Sequence, residues 1–275
     1  MEPTGPTGPT GPWRRGWRPG LAAGAAVLAI ALAGGALWAG TRDDSRRAGA
    51  APGTATSPAT GPGARPPTTQ RSRDARTDAP SAPAAVACGG TIPARHQHLR
   101  FRNAPYAAAI ASQRYLASFR TSCGRFTVEL DPKAAPVTTF NFVFLAQRGF
   151  YDSTWFHRIL TARTAGVDAI LGGDPQGDGQ GGPGYSIKDE LPRGRNPYRK
   201  YSIAMLNTGM PDTAGSQFFI STADNPKLPR DYTVFGQVIE GRAVVDRIAR
   251  VPVGGHEGTT PTRAVWLEAL TISIT

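Results

Sequence analysis

The chain has 275 residues, with 33 glycines, 25 prolines and a formal net charge of +11. Twelve of the prolines precede residue 84, and so much proline and glycine without apolar periodicity cannot bury a core, which excludes a single globule of full length. The two cysteines form no Cys-x-x-Cys pair, which excludes a zinc ribbon and a thioredoxin-type redox site.

The first candidate element is an uncharged run behind a polar head. Residues 1–20 are predicted to be a flexible head, and residues 21–38 contain eight alanines, three glycines and no charge. Eighteen helical residues span about 27 Å, enough for the hydrocarbon core of a bilayer. We expect a transmembrane signal-anchor at 21–40, with a signal peptide cleaved near Ala33 as the alternative. A buried soluble helix is disfavoured because nothing adjoining the run can pack against it.

Composition separates a tether from a folded domain. Residues 41–87 are mainly Ala, Pro, Thr, Ser, Gly and Arg, which predicts a disordered linker. The folded domain is expected at 88–275, and its N-terminal extension, 88–120, has five arginines and no acid. Residues 121–275 carry 16 basic and 15 acidic side chains. The positive charge therefore lies mostly outside the domain proper, which argues against a nucleic-acid partner.

The folded part is predicted to be mainly β. Alternating runs at 115–121 and 125–131 indicate a hairpin, and Pro136 opens a helical pattern that extends to residue 148. Further strands are expected at 155–160, 201–206, 217–222, 233–239 and 265–274, and a second helix at 242–249. Many short strands and few helices favour an antiparallel barrel with helices at its ends.

Several motifs of the folded part occur together. They read Phe-Tyr-Asp at 150–152, Phe-His-Arg-Ile at 156–159, Gly-Gly-Asp-Pro at 172–175, Gly-Ser-Gln-Phe-Phe-Ile at 215–220 and Thr-Val-Phe-Gly at 233–236. Their order and spacing resemble those of the cyclophilin-type peptidyl-prolyl isomerases over roughly residues 121–275. The resemblance implies a closed antiparallel eight-stranded barrel capped by two helices. It also implies isomerase activity on X-Pro bonds without a cofactor or a metal.

The chemistry of this reaction requires an apolar pocket and a hydrogen-bond donor. Rotation about an amide costs about 18–20 kcal/mol because resonance must be broken. As the bond twists, the proline nitrogen regains a lone pair that can accept a hydrogen bond. A fixed arginine is suited to this task because its guanidinium is always charged.

The resemblance assigns roles to individual residues. The implied catalytic residues are Arg158, Phe219, Gln217 and Asn207, and the implied substrate-binding residues are His157, Leu206, Leu228 and Tyr232. For Arg158 the alternative is a surface salt bridge, and for each phenylalanine it is plain core packing. Core packing is expected for Phe218, whose side chain points to the opposite face of its strand from that of Phe219.

Two departures from the family pattern bear on activity. Residues 168–171 read Asp-Ala-Ile-Leu where the family carries Phe-Met-x-Gln, so the pocket loses a phenylalanine. Leu171 replaces a glutamine that orients the arginine, and looser positioning of Arg158 is expected to reduce activity. Lys227 stands where cyclosporin-sensitive members carry tryptophan, which predicts weak cyclosporin binding.

The segments around the two cysteines read Cys-Gly-Gly at 88–90 and Thr-Ser-Cys-Gly at 121–124. They further resemble those of membrane-tethered actinobacterial cyclophilins. In an extracytoplasmic domain Cys88 and Cys123 are expected to pair, whereas two free thiols in a cytosolic protein are the alternative.

The sequence thus predicts a monomeric isomerase in the bacterial cell membrane with its C-terminal domain outside, or secreted if cleaved. Its partners would be proline-containing segments of secreted or envelope proteins. The alternatives are a proline-segment binding module with weak or no turnover, and a structural spacer of the cell envelope.

Overall fold

The computed structural model describes residues 82–93, 99–194 and 196–275. The predicted head, the predicted membrane span at 21–38 and most of the predicted linker lie outside the described residues. Within those ranges, none of the helices is long and apolar enough to cross a membrane.

Short strands dominate the described part of the chain. The strands are β1 (Tyr115–Thr121), β2 (Gly124–Leu130), β3 (Thr154–Trp155), β4 (Arg158–Leu160), β5 (Ala169–Gly172), β6 (Ser202–Met205), β7 (Phe218–Ser221), β8 (Val234–Glu240), β9 (Val253–Gly254), β10 (Thr260–Pro261) and β11 (Trp266–Ile274). The α-helices are α1 (Pro136–Gln147), α2 (Ala162–Ala165) and α3 (Arg242–Ala249). The predicted hairpin and both predicted helices are confirmed, whereas β5, α2 and the β9–β10 pair were not predicted.

Nine strands form one curled antiparallel sheet in the order β3-β11-β1-β2-β8-β6-β7-β5-β4. Its edge strands, β3 and β4, are separated in the chain only by Phe156 and His157. Strand β3 pairs with β11 and strand β4 with β5, and no backbone pairing between β3 and β4 links the two edges. The expected closed eight-stranded barrel with two helices is therefore wrong: the described sheet has nine strands and stays open, and the described α-helices number three.

Burial differs between the two halves of the sheet. Strand β1 alternates buried and more exposed positions, whereas every residue of β5, β6 and β7 is buried. The inner face of these three strands packs into the main core, where Phe218 lies edge-on to Phe119 and Phe142. Their outer face carries Leu171 and Phe219, which belong to a second apolar cluster. The predicted core position of Phe218 is thus confirmed.

The segment before β1 is attached to the sheet at several points. A disulfide joins Cys88 to Cys123 in the β1–β2 turn, which confirms the predicted pairing. Ala264 donates a backbone hydrogen bond to Ala85 and accepts one from Ala87. Residues 85–87, which composition assigned to the linker, are therefore part of the folded structure.

Residues 99–109 of the extension pack beside α1. The ring of Phe101 lies 5.3 Å from that of Phe144, and its backbone N–H donates to the carbonyl of Pro183 at 2.8 Å. Farther along, Ala109 donates to the carbonyl of Pro136 at the start of α1. These contacts hold the extension against the glycine-rich loop that follows β5.

Candidate active site

Arg158 begins the edge strand β4 and lies opposite Leu171 of β5. Only 19% of its side chain is exposed. Its Nη1 donates to the carboxylate of Glu257 and, at 3.3 Å, to the hydroxyl of Thr259. A guanidinium has five N–H groups, and the three on Nε and Nη2 have no acceptor among the described residues, so they can serve a substrate.

Glu257 and Thr259 reach the arginine from the turn between β9 and β10. The backbone N–H of Ile159 donates to the carbonyl of Thr259 at 2.8 Å, which fixes this turn against β4. The sequence reasoning missed both residues because they lie about a hundred positions from Arg158. The available signal was weak: Glu257 is the one acid between Asp246 and Glu268 and stands in a glycine-rich turn.

The outer face of β5, β6 and β7 forms the floor of an apolar pocket. The ring of Tyr232 meets that of Phe219 edge-on at 5.5 Å, and Leu228 closes the same side. Tyr198, which was not predicted, holds Tyr232 by accepting from its N–H and donating to its carbonyl. Burial raises the pKa of Tyr198 to about 12, so this hydroxyl remains a donor at neutral pH. The complete lining is Leu160, Val167, Ala169, Leu171, Leu206, Phe219, Asn225, Leu228 and Tyr232.

The segment between Arg158 and Gly172 takes part in this pocket. It contains α2, which is capped by the Thr161 hydroxyl accepting from the Thr164 N–H. Val167, which follows α2, lines the pocket from which the family's phenylalanine is missing. The cavity enclosed among the lining side chains has a volume of about 10 Å³, room for roughly one water molecule.

A polar cavity of about 450 Å³ adjoins the apolar pocket. Leu171 and Leu206 line both spaces, and Arg158 lines the polar one. Three further residues singled out by the resemblance also line it: His157, Asn207 and Gln217. The structure therefore brings all eight predicted site residues to two adjoining spaces.

Gln217 and Asn207 are held by backbone groups. The amide nitrogen of Gln217 donates to the carbonyls of Gly179 and Gly181 at 3.0 and 2.8 Å. The amide of Asn207 donates to the carbonyl of Asp231 and accepts from the Gly209 N–H. These bonds favour a positioning role for both side chains, with Gln217 fixing the glycine-rich loop and Asn207 fixing the backbone at the cavity wall.

His157 is unsuited to proton transfer at neutral pH. Its side chain is 3% exposed, and burial, followed by the charge of Arg158, lowers its pKa to about 3 against the opposing effect of Asp178. The imidazole is therefore neutral above pH 5. Its Nδ1 is buried and has no hydrogen-bond partner among the described residues.

The glycine-rich loop is organised around a buried carboxylate. Asp174 accepts from the N–H groups of Gln176 and Gly179 at 2.8 and 2.5 Å. A Cβ added at Gly181 would lie only 1.9 Å from this carboxylate, which explains the glycine there. Because these N–H groups point at the protein's own anion, the loop is not a phosphate cradle. The described residues also contain no group of three or more metal-ligating side chains.

Comparison with known proteins gives a consistent result. Residues 116–269 match the family described as cyclophilin type peptidyl-prolyl cis-trans isomerase/CLD. A peptidyl-prolyl cis-trans isomerase of Helicobacter pylori is 42% identical over 134 residues, which cover 48% of this chain and 78% of that protein. Peptidyl-prolyl cis-trans isomerase A of Mycobacterium tuberculosis is 37% identical over 188 residues, covering 62% and 96%.

A similar fold has been solved by crystallography. The cyclophilin type peptidyl-prolyl cis-trans isomerase of Cryptosporidium parvum, in the presence of the dipeptide Ala-Pro, has a TM-score of 0.52 and 28% sequence identity, covering 57% of this chain and 98% of that one. The family match extends over more than half of the sequence and includes β1 to β8 and the apolar pocket. This chain therefore belongs to the cyclophilin-type peptidyl-prolyl cis-trans isomerase family.

Proposed function

We propose that this protein catalyses cis-trans isomerisation of X-Pro bonds in extracytoplasmic proteins and thereby assists their folding. The observation that carries the proposal is the position of Arg158. Its guanidinium is fixed by Glu257 and Thr259 in a polar cavity that adjoins an apolar pocket floored by Phe219.

The proposed mechanism needs no covalent step. The proline ring enters the apolar pocket, and the peptide on either side of it crosses the polar cavity. In a planar amide the proline nitrogen is a poor acceptor because its lone pair is delocalised. A free N–H of Arg158 therefore bonds this nitrogen more strongly in the twisted state than in either planar state, which lowers the barrier.

Substitution of Arg158 tests the proposal. Exchange between the cis and trans forms of a short Ala-Pro peptide is measured by NMR with catalytic amounts of the folded domain. We expect Arg158→Ala to reduce kcat/KM about a hundredfold, as for other preorganised donors. Arg158→Lys keeps the charge but loses the planar fork and is expected to restore little. An unchanged rate in Arg158→Ala, or a wild-type rate equal to the uncatalysed one, would contradict isomerase activity.

A proline-segment binding module is the second candidate. One observation favours it: Leu171 of β5 stands opposite Arg158, where the family resemblance places a glutamine. The same NMR samples distinguish the candidates. Peptide shift changes that saturate without any gain in exchange rate would support binding alone.

The extracytoplasmic location is part of the proposal. Both cysteines are used in one disulfide, as is usual in oxidising compartments. We propose that residues 21–38 anchor the chain in the bacterial membrane, with cleavage near Ala33 as the alternative. Carbonate washing of membranes tests the anchor, and intact mass shows whether the first 33 residues remain. Recovery of a reduced, full-length chain in the cytosol would contradict both the anchored and the cleaved form of the proposal.

A further inference from the structure

An arginine from outside the family match lines the polar cavity. The match begins at residue 116, whereas Arg100 belongs to the extension and lies on the cavity wall together with Arg158. Phe101, the next residue, fixes this position because its ring packs against Phe144 and Tyr185 at 5.3 and 6.5 Å. Its N–H also donates to the carbonyl of Pro183 on the cavity rim.

The charged side chains that line the cavity are all cationic. Among the described residues that line it, Arg100 and Arg158 are cationic and none is acidic. His157 adds no charge because its pKa lies near 3. Asp178 is close enough to affect His157, but it does not line the cavity, and its carboxylate accepts from the Gln180 N–H. Glu257 offsets the charge of Arg158, whereas Arg100 takes part in none of the four ion pairs of the described residues.

A buried histidine lies at the wall of this cavity. The Nδ1 of His157 is buried without a partner in the described structure, although the side chain lines the cavity. Buried polar groups usually find a partner, and a neutral imidazole can donate from this nitrogen. The described residues that line the cavity thus include two arginines and a neutral imidazole.

We propose that the polar cavity binds an acidic side chain, Asp or Glu, of the substrate at a position flanking the proline, and that Arg100 makes this preference. The proposal rests on the proposed isomerase function. The two spaces share Leu171 and Leu206 and therefore adjoin, so a residue near the proline can reach the cavity. The substrates favoured by this site are therefore proline segments with a nearby carboxylate.

Matched peptides test the proposal. Each contains one Ala-Pro bond, with Glu or Gln placed two residues before or two residues after the proline, and exchange is followed by NMR. For at least one placement we expect KM for the Glu peptide to be about two- to fivefold lower than for its Gln twin, the size expected of an ion pair at an exposed arginine. Because the pair is exposed, this preference should disappear in 1 M salt, where the Debye length is about 3 Å.

Variants of the protein assign the effect to Arg100. Arg100→Gln should abolish the preference for the Glu peptide, and Arg100→Lys should keep part of it. The matched control is Arg102→Gln, which removes a neighbouring exposed arginine that does not line the cavity and should leave the preference intact. Equal KM values for all Glu and Gln peptides, a preference that survives Arg100→Gln, or an equal loss in both Gln variants would overturn the inference. Absence of turnover with every peptide would instead contradict the isomerase function itself.

Discussion

Glu257 is predicted to position Arg158 for catalysis. The carboxylate takes the place of the family's glutamine, whose position in β5 is occupied by Leu171. A charge-assisted hydrogen bond contributes about 1.5–3 kcal/mol, and we reduce this to about 1–2 kcal/mol because 41% of the Glu257 side chain is exposed. Glu257→Ala should therefore lower kcat about 5- to 30-fold, since a loosened guanidinium loses the preorganised donor of the twisted state.

The prediction is checked by NMR exchange and by a matched control. Glu129→Ala removes an acid of nearly equal exposure, 40%, that pairs with Arg114 away from the site, and it should leave kcat unchanged. Leu171→Gln supplies a polar neighbour across the strand pair and should recover part of the rate lost in Glu257→Ala, more than it adds to the wild type. If Glu257→Ala instead raises kcat, Glu257 competes with the substrate for Arg158, and the positioning argument is refuted.

Three further predictions concern stability and drug binding. Replacing Cys88 and Cys123 with serine should cost about 3–4 kcal/mol of unfolding free energy, from a loop closed over a separation of 35 residues; urea unfolding without this loss would contradict it. The pKa of His157 is about 3 in the folded protein and 6.5 in the unfolded chain, so the unfolded chain binds more protons below pH 6.5. The free energy of unfolding therefore falls by up to about 1.4 kcal/mol per pH unit as the pH drops from 6.5 towards 3. His157→Gln should reduce this slope, and parallel slopes would disprove the account. Cyclosporin should bind more weakly than micromolar and tighten in Lys227→Trp, which calorimetric titration tests.

Local sequence was sufficient where periodicity and turn residues act within a few positions. The β1–β2 hairpin and helices α1 and α3 were predicted nearly to their observed ends. The alternation of side chains along β7 also separated Phe218, in the core, from Phe219, in the apolar pocket. Such features depend on neighbours along the chain, so one sequence contains the information.

Tertiary structure decided the features that depend on the path of the whole chain. The run at 155–160 has the composition of one strand, but it is divided into β3 and β4, which pair with different strands, β11 and β5. The partner of Arg158 comes from a turn about a hundred residues away, and the second arginine of the cavity comes from the extension. Residue type and spacing thus indicated the family, a mainly β fold and Arg158 as the candidate catalytic residue. Which groups surround that arginine was decided only by folding, because contacts between distant segments leave no periodic trace in the sequence.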